Sequence, residues 1–194
     1  MNPQKRSEAG YSLAEMLTVV AIIGTLALVS VPAFLTYFYS NKMKASMRNF
    51  TNDLRATRQL SISLGRQAML TYPTGTQARS YAIYVGDKPF NSTAWTARQA
   101  IPGGVRGTRV LEQIVYFPAN AAGTPQTFTD DLTCTGATCS SGTDGKLDVI
   151  FFPDGHAQLP AGTTSATITL KTDRKIPKAQ YTIAISPSGR VQVQ

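Results

Sequence analysis

The chain opens with the polar segment 1–10 and then changes abruptly to an apolar run. The run covers residues 11–38, and no side chain between Met16 and Leu35 carries a charge. About 20 apolar residues in a helix span a bilayer core of roughly 30 Å. Residues 11–38 therefore predict a helix that crosses a membrane once. The rest of the chain is then expected to fold outside the bilayer core.

Signals around the run predict its orientation and its fate. Lys5 and Arg6 precede it, which predicts a cytoplasmic N-terminal end and an extracytoplasmic position for the residues that follow the run. A secretory signal has a shorter apolar core and a small-residue cleavage site after it, and no A-x-A site follows this run. We therefore expect the apolar segment to remain in the mature protein.

Glu15 is the acid of this apolar run. A carboxylate within a membrane segment is costly and usually has a partner. Alternatively, Glu15 lies at the level of the headgroups and is solvated there. The residues alone leave both interpretations open.

The sequence GYSLAE at positions 10–15, between a short basic leader and a long apolar run, resembles the class III signal of type IV prepilins and type II secretion pseudopilins. The resemblance implies that a prepilin peptidase removes the leader 1–10 after Gly10 and that Tyr11 is then N-methylated. It also implies that Glu15 pairs with the methylated amino terminus of a neighbouring subunit. Pro32 matches a helix-kinking proline of such subunits, because proline interrupts the helical hydrogen-bond ladder.

Residues 39–65 are predicted to continue the helix as an amphipathic segment. Met43, Met47, Phe50 and Leu54 follow the spacing i, i+4, i+7, i+11, which places them on one face. Ile62 and Leu64 extend the same face, and Gly65 is a stop signal. We expect the apolar face to pack under the globular domain.

Basic residues are predicted on the other faces of this segment, opposed by one acid, Asp53. Their function is either contact with lipid headgroups and acidic neighbours or simple solvation of the helix. The basic residues are Lys42, Lys44, Arg48, Arg55 and Arg58.

Residues 66–194 read as a β-rich globular domain, because short runs of β-branched and aromatic residues alternate with turn residues. The segment FPDGHA at 152–157 and Pro187–Gly189 are predicted turns. The order of elements resembles the GspH/FimT group of the pilin superfamily, which implies an α+β fold with the long helix packed on a C-terminal antiparallel β-sandwich. The predicted strands are Ala68–Tyr72, Tyr81–Val85, Val110–Phe117, Leu147–Phe152, Ala166–Lys171, Tyr181–Ile185 and Val191–Val193.

Few strands are predicted between Asp87 and Gly145, which reads as variable loop. Cys134 and Cys139 lie in this stretch. A zinc site needs more ligands nearby, so we expect a small disulfide loop, with two free thiols as the alternative. A disulfide implies an oxidising compartment.

No catalytic motif is recognisable, and the sequence predicts neither an enzyme nor a cofactor or metal site. No serine lies in a G-x-S-x-G turn, and no phosphate-binding glycine motif is present. The spacing of Asp144, Asp148 and Asp154 fits no EF-hand loop. We interpret these acids as turn-forming residues and His156 as a surface residue.

The formal net charge of +8 favours anionic partners. If the basic residues near the C-terminus lie at one end of the domain, they predict a surface that binds DNA through its phosphates. Some FimT-type pilins bind DNA and carry a Gly-Arg-x-Arg motif; here Gly189 and Arg190 match it, and Gln192 stands in place of the second arginine. The alternative is a plain final strand. The candidate DNA-binding residues are Lys171, Arg174, Lys175, Lys178 and Arg190.

The sequence therefore predicts a minor pilin-like subunit of a type II secretion pseudopilus or a type IV pilus. The alternative hypothesis is a DNA-binding minor pilin that acts in DNA uptake. The implied partners are other pilin subunits, a prepilin peptidase and the bacterial inner membrane, with the globular domain in the periplasm.

Overall fold

A computed structural model gives the structure of residues 11–75, 78–98, 108–119, 126–128, 132–135, 138–141 and 144–194. The chain forms two compact units, Met1–Phe38 and Tyr39–Gln194. One long helix, α1 (Leu13–Leu64), begins in the first unit and ends in the second. The predicted leader 1–10, including Gly10, lies outside the described residues.

Helix α1 ends where the sequence predicted. Gly65 has a φ of 63°, the left-handed conformation that glycine adopts most easily. The amide of Arg66 donates to the carbonyl of Ser61 at 3.2 Å, the six-to-one bond of a Schellman cap. The stop signal at Gly65 is confirmed.

Two antiparallel sheets make up the described part of the β domain. The larger has the order β5-β6-β3-β2-β1-β7, and β4 also pairs with β2; the smaller has the order β10-β9-β8. The predicted α+β class, a long helix packed on antiparallel sheets, is confirmed. The strands are β1 (Ala68–Pro73), β2 (Ser80–Gly86), β3 (Trp95–Ala97), β4 (Thr108–Val110), β5 (Leu132–Thr135), β6 (Thr138–Ser141), β7 (Lys146–Phe151), β8 (Ala166–Lys171), β9 (Gln180–Ile185) and β10 (Val191–Val193).

The predicted strand Val110–Phe117 is wrong beyond its first residue. Strand β4 ends at Val110, and the amide of Val115 then donates to the carbonyl of Glu112 at 2.8 Å to close a turn. Val115 and Phe117 are buried in the core. Beyond Val110 the apolar run is therefore a buried connection, in which Tyr116 forms an isolated antiparallel bridge with Lys171 instead of a continuous strand.

The stretch between Asp87 and Gly145 holds more strands than predicted. It contains β3, β4, β5 and β6, each three or four residues long. Strands this short do not show enough alternation to stand out from loops in a sequence.

The apolar face of α1 packs where its spacing predicts. Met43, Phe50 and Leu54 are fully buried in one core with residues of both sheets, and Met47 packs against that core. Ile62 and Leu64 are 40% and 42% exposed, so the predicted extension of the face is wrong. The last turn of α1 therefore lies beyond the hydrophobic core.

Phe50 is at the centre of an aromatic cluster that joins the helix to the larger sheet. Its ring centroid lies 5.0 Å from that of Tyr81 and 5.1 Å from that of Phe117, in edge-to-face geometry. Tyr72 lies 6.2 Å away in the same geometry. Full burial of a phenylalanine side chain contributes about 1.5–3 kcal/mol, so Phe50 is a principal anchor of the helix.

Candidate functional site

The N-terminal end of α1 is capped by Ser12. The amide of Glu15 lies 3.2 Å from Oγ of Ser12 and 3.1 Å from its carbonyl oxygen, so both oxygens can accept its hydrogen bond. Serine followed three residues later by glutamate is the sequence of a capping box. The position also suits a carboxylate, because the N-terminal end of a helix carries partial positive charge.

The carboxylate of Glu15 is exposed, and within the described residues it has no hydrogen-bonding or ionic partner. A carboxylate next to an apolar segment is therefore held in the first turn of the helix without being neutralised there. Such a group is suited to pair with a cation from outside the described part of the chain.

The first half of α1 exposes its apolar side chains on every side. The relative exposure is 81% for Leu13, 78% for Leu28 and 65% for Phe34. The helix contains an 18-residue window with a mean hydropathy of 2.3, and none of that window is buried. Length and composition therefore allow this helix to cross a membrane.

Three threonine side chains in this half bond to the backbone of the helix itself. The hydroxyls of Thr18, Thr25 and Thr36 donate to the carbonyls of Ala14, Ile22 and Pro32 at 2.8, 2.9 and 3.0 Å. Hydroxyl groups that bond to their own helix need no water, which suits an apolar environment. Pro32 lies inside α1, as predicted.

Four of the five candidate DNA-binding residues lie together. Lys171 ends β8, and Arg174, Lys175 and Lys178 lie in the loop between β8 and β9; we call these four residues the loop patch. The last three are exposed. The guanidinium carbon of Arg174 lies 5.1 Å from the ring centroid of Tyr39.

Arg190 does not belong to the loop patch, so the condition for one cationic surface, that all five residues lie at one end of the domain, is not met. Lys171 pairs with Gln180 at the start of β9, whereas Val191, next to Arg190, pairs with Ile185 at its end. The two positions are therefore at opposite ends of the smaller sheet. At about 3.3 Å per residue, the length of β9 separates them by roughly 20 Å.

Arg190 instead lies beside the last turns of α1. It lines a cavity of about 400 Å³ together with Arg55 and Arg58, and we call these three residues the turn patch. The cavity is also lined by Gln59, Gly189 and Val191.

Arg58 was predicted on a solvated or partner-binding face, and its guanidinium also bonds within the domain. Its Nε donates to the carbonyl of Gly155 at 2.8 Å, and one terminal nitrogen donates to the carbonyl of Ser188 at 3.2 Å. It therefore joins the helix to both predicted turns, FPDGHA and Pro187–Gly189, which are confirmed as turns by their backbone hydrogen bonds.

Gly189 has a structural reason to be glycine. Its φ is 72°, and an added Cβ would collide with the carbonyl oxygen of Gly155 and lie 2.7 Å from Nε of Arg58. The glycine that matches the Gly-Arg-x-Arg motif is thus required by this close approach, whether or not the chain binds DNA.

Asp53 is the residue that the sequence interpretation misplaced. It was predicted on an outer face, yet its side chain is only 9% exposed. The phenol of Tyr81 donates to Oδ2 of Asp53 at 2.6 Å, and Nε of Arg109 lies 3.2 Å from the same oxygen without the alignment of a hydrogen bond. The signal was present, because Asp53 lies three residues after Phe50 and therefore on the same face.

The other helix cations differ in their surroundings. Nζ of Lys42 lies 3.3 Å from a carboxylate oxygen of Glu112. Lys44 and Arg48 are exposed. Arg55 is exposed and reaches the carbonyl of Val191 at 3.4 Å.

The predicted disulfide falls on paired strands. In the register of β5 and β6, Cys134 lies directly opposite Cys139. Opposite residues of antiparallel strands have Cα atoms about 4.5–5.5 Å apart, within the range that a disulfide needs. The part of the chain that the structure describes has no free cysteine. The pairing of these two residues remains a prediction.

Two of the three candidate turn acids are turn residues. The amide of Lys146 donates to Asp144 and that of His156 donates to Asp154, each at 3.0 Å. Asp148 is not in a turn: it is buried within β7 and accepts from the amide of Leu132 at 3.0 Å.

His156 is exposed, as predicted. Its Nδ1 lies 2.8 Å from Asp154. The hydrogen bond from the amide of His156, followed by that from its side chain, lowers the pKa of Asp154. Among the described residues, no three His, Cys, Asp or Glu side chains are grouped so that they could hold a metal ion.

Several solved structures are similar to this chain, whereas no family model and no curated protein matches it. The minor pseudopilin EpsH from the type 2 secretion system of Vibrio cholerae is similar at 10% sequence identity and a TM-score of 0.47, over 79% of this chain and 96% of that chain. A second EpsH structure gives a TM-score of 0.45 with the same identity and coverage.

The type IV minor pilin FimU of Pseudomonas aeruginosa is similar at 12% identity and a TM-score of 0.40, over 81% of this chain and 92% of that chain. At these values the similarity concerns the general layout of the chain and does not assign it to either system.

Proposed function

We propose that the chain is a pilin-like subunit that is anchored in a membrane by residues 11–38 and enters a filament through the same segment. The observation that carries the proposal is a helix half whose apolar side chains are exposed all round, with the carboxylate of Glu15 in its first turn. A bilayer can cover these side chains before assembly, and neighbouring helices can cover them afterwards.

Glu15 is proposed to set the register between subunits. Its carboxylate has no partner among the described residues, and a carboxylate in apolar surroundings needs one. The partner that we propose is the methylated amino terminus of Tyr11 in an adjacent subunit, formed after the leader is removed at Gly10. One such pair per subunit would fix the axial offset between helices.

Within this class we propose a minor pilin or pseudopilin of the GspH/FimT type, in a type IV pilus or a type II secretion pseudopilus. The subunit would cross the bacterial inner membrane once and hold its β domain in the periplasm. The prepilin peptidase and the other pilin subunits would be its partners.

A count of basic residues on the two sides of the apolar run argues against the proposed orientation. Lys5 and Arg6 precede the apolar run, whereas five basic residues follow it by position 58. Two of the five are engaged within the domain, since Lys42 pairs with Glu112 and Arg58 bonds to carbonyls. Long domains are also translocated largely regardless of charge.

Substitution of Glu15 tests the assembly role. We expect Glu15→Ala to insert into membranes normally and to fail to enter filaments. Thr18→Ala is the matched control, because its hydroxyl bonds only to the carbonyl of Ala14 one turn back. The measurement is co-purification of the variant with sheared filaments, beside its recovery in the membrane fraction. Normal incorporation of Glu15→Ala would show that the register is set elsewhere.

DNA binding by one C-terminal surface is less well supported. Arg190 lies at the opposite end of the smaller sheet from the loop patch, and Gly189 is required by the packing of Arg58. DNA uptake therefore stands as the second hypothesis, without an observation that favours it over assembly.

A further inference from the structure

We propose that the loop patch is a docking surface for anionic phospholipid headgroups, which it contacts while α1 spans a bilayer. The inference rests on the proposed membrane insertion of residues 11–38 and adds a partner for the β domain itself.

The position of the loop is the first argument. Arg174 packs over the ring of Tyr39, with 5.1 Å between its guanidinium carbon and the ring centroid. Tyr39 directly follows Tyr37 and Phe38 at the end of the apolar run. Aromatic residues of this kind gather at the level of the headgroups. Because chain connectivity holds Tyr39 there, the contact brings Arg174 to the same level.

The charge of the loop is the second argument. Among the described residues, no carboxylate side chain forms an ion pair with Arg174 or Lys175. Asp173, the acid of the loop, is engaged instead by Tyr116, whose phenol donates to its Oδ1 at 2.7 Å. The positive charge of Arg174 and Lys175 is therefore available to an outside anion.

Two contacts position the side chain of Lys178. Its Nζ lies 4.4 Å from the ring centroid of Tyr181 and donates to the backbone oxygen of Gln194 at 3.2 Å. These contacts hold the ammonium group at the loop. Each basic residue near an anionic bilayer strengthens the attraction about fivefold, and the effect fades within roughly 10 Å. The turn patch lies at the opposite end of the smaller sheet, roughly 20 Å from the loop patch, and is therefore the comparison site for the test.

A lipid surface fits this placement better than DNA. While the helix is inserted, the bilayer occupies the space next to Tyr39 and competes with any duplex for the loop. The proposal therefore commits to headgroup phosphates of the bilayer in which the chain itself is anchored.

The test uses the full chain in bilayers of phosphatidylcholine with or without phosphatidylglycerol. A fluorophore is attached at Pro177→Cys, in the exposed part of the loop, and the lipids carry a headgroup quencher. We expect stronger quenching with phosphatidylglycerol and its loss at high salt. The same label at Ser188→Cys, beside the turn patch, is the matched control and should respond to neither.

Charge removal completes the test. The triple variant Lys171→Gln, Arg174→Gln, Lys178→Gln should lose the phosphatidylglycerol-dependent quenching, and Arg55→Gln with Arg190→Gln should keep it. Equal quenching in both lipids, or no effect of the triple variant, would overturn the proposal. The proposal would also be overturned if the chain binds a DNA duplex, the triple variant loses that binding, and phosphatidylglycerol has no effect on the quenching.

Alkaline extraction of the same vesicles separates this proposal from the one on which it rests. If the chain is released, membrane insertion is wrong and both proposals fail. If the chain stays in the bilayer and the loop shows no phosphatidylglycerol effect, only the lipid-docking proposal is overturned.

Discussion

The phenol of Tyr81 donates a 2.6 Å hydrogen bond to the carboxylate of Asp53, which joins helix α1 to strand β2 inside the larger sheet. Arg109 of β4, which pairs with β2, lies 3.2 Å from the same oxygen. A buried carboxylate is costly unless it is paired and hydrogen-bonded, and these two groups meet that need. The relationship ties the face of the helix that carries Asp53 to strands β2 and β4.

Replacing Asp53 should destabilise the domain. Asp53→Asn leaves Arg109 without its counter-charge and weakens the bond from Tyr81, so we expect a loss of about 2 kcal/mol in the free energy of unfolding. Urea unfolding of the full chain in detergent, followed by circular dichroism, measures it. Glu112→Gln removes the same charge from an exposed ion pair and should cost under about 1 kcal/mol. Equal losses for the two variants would contradict the role given to Asp53.

Tyr81 also predicts a dependence on alkaline pH. Burial, then the hydrogen bond to Asp53, raises the pKa of Tyr81 above that of a free tyrosine. The stability that Tyr81 contributes is therefore fully present below its unfolded pKa near 10 and is lost as pH rises towards the folded pKa. In this window the loss is about 1.4 kcal/mol per pH unit.

Tyr81→Phe checks that sign. Near neutral pH the variant should be less stable by about 1–2 kcal/mol, because the hydrogen bond to Asp53 is lost. Above about pH 10 the difference should shrink, since only the wild type has to keep this phenol protonated. Unfolding free energies of both proteins over a pH series provide the measurement. A difference that stays constant through the alkaline range would count against the raised pKa.

Peptide mapping without reduction tests the cysteine pair. We expect one linked fragment that contains Cys134 and Cys139, and its loss after reduction. The disulfide closes a short loop, so Cys134→Ser with Cys139→Ser should cost about 2 kcal/mol. Alkylation of both thiols in the unreduced protein would show that the opposite placement on β5 and β6 is not bridged.

Mass spectrometry of the mature chain tests the predicted processing. We expect the chain to begin at Tyr11 and to carry one methyl group on its amino nitrogen. Gly10→Val should block peptidase access and leave residues 1–10 attached. Gly24→Ala is a suitable control, because an added Cβ there meets nothing within 4 Å. A wild-type chain that retains Met1 in the assembled filament would contradict the predicted cleavage.

Spacing along the sequence predicted the parts of the fold that depend on long, regular patterns. The apolar face of Met43, Phe50 and Leu54 and the stop at Gly65 could be read directly, because a helix of this length repeats its pattern several times. Strands β3 to β6 could not, because three or four residues give no period.

The candidate cationic surface shows why the site was harder to predict than the fold. Lys171 and Arg190 are both near the C-terminus, but strand β9 runs between them and carries them to opposite ends. Only the strand pairing decides such a separation. For Asp53 the sequence did contain the signal. Helical spacing from Phe50 predicts a buried side chain, but the charge of Asp53 led to the expectation of an exposed one.

The bonds made by Arg58 have a mechanical consequence. Arg58 and Ser61 bond to the carbonyls of Gly155, Ser188 and Phe152, which belong to two turns of the β domain. If the proposed filament forms, a pull on α1 would load these bonds together with the buried face of the helix. Arg58 would thus raise the force needed to separate the last turns of α1 from the β domain.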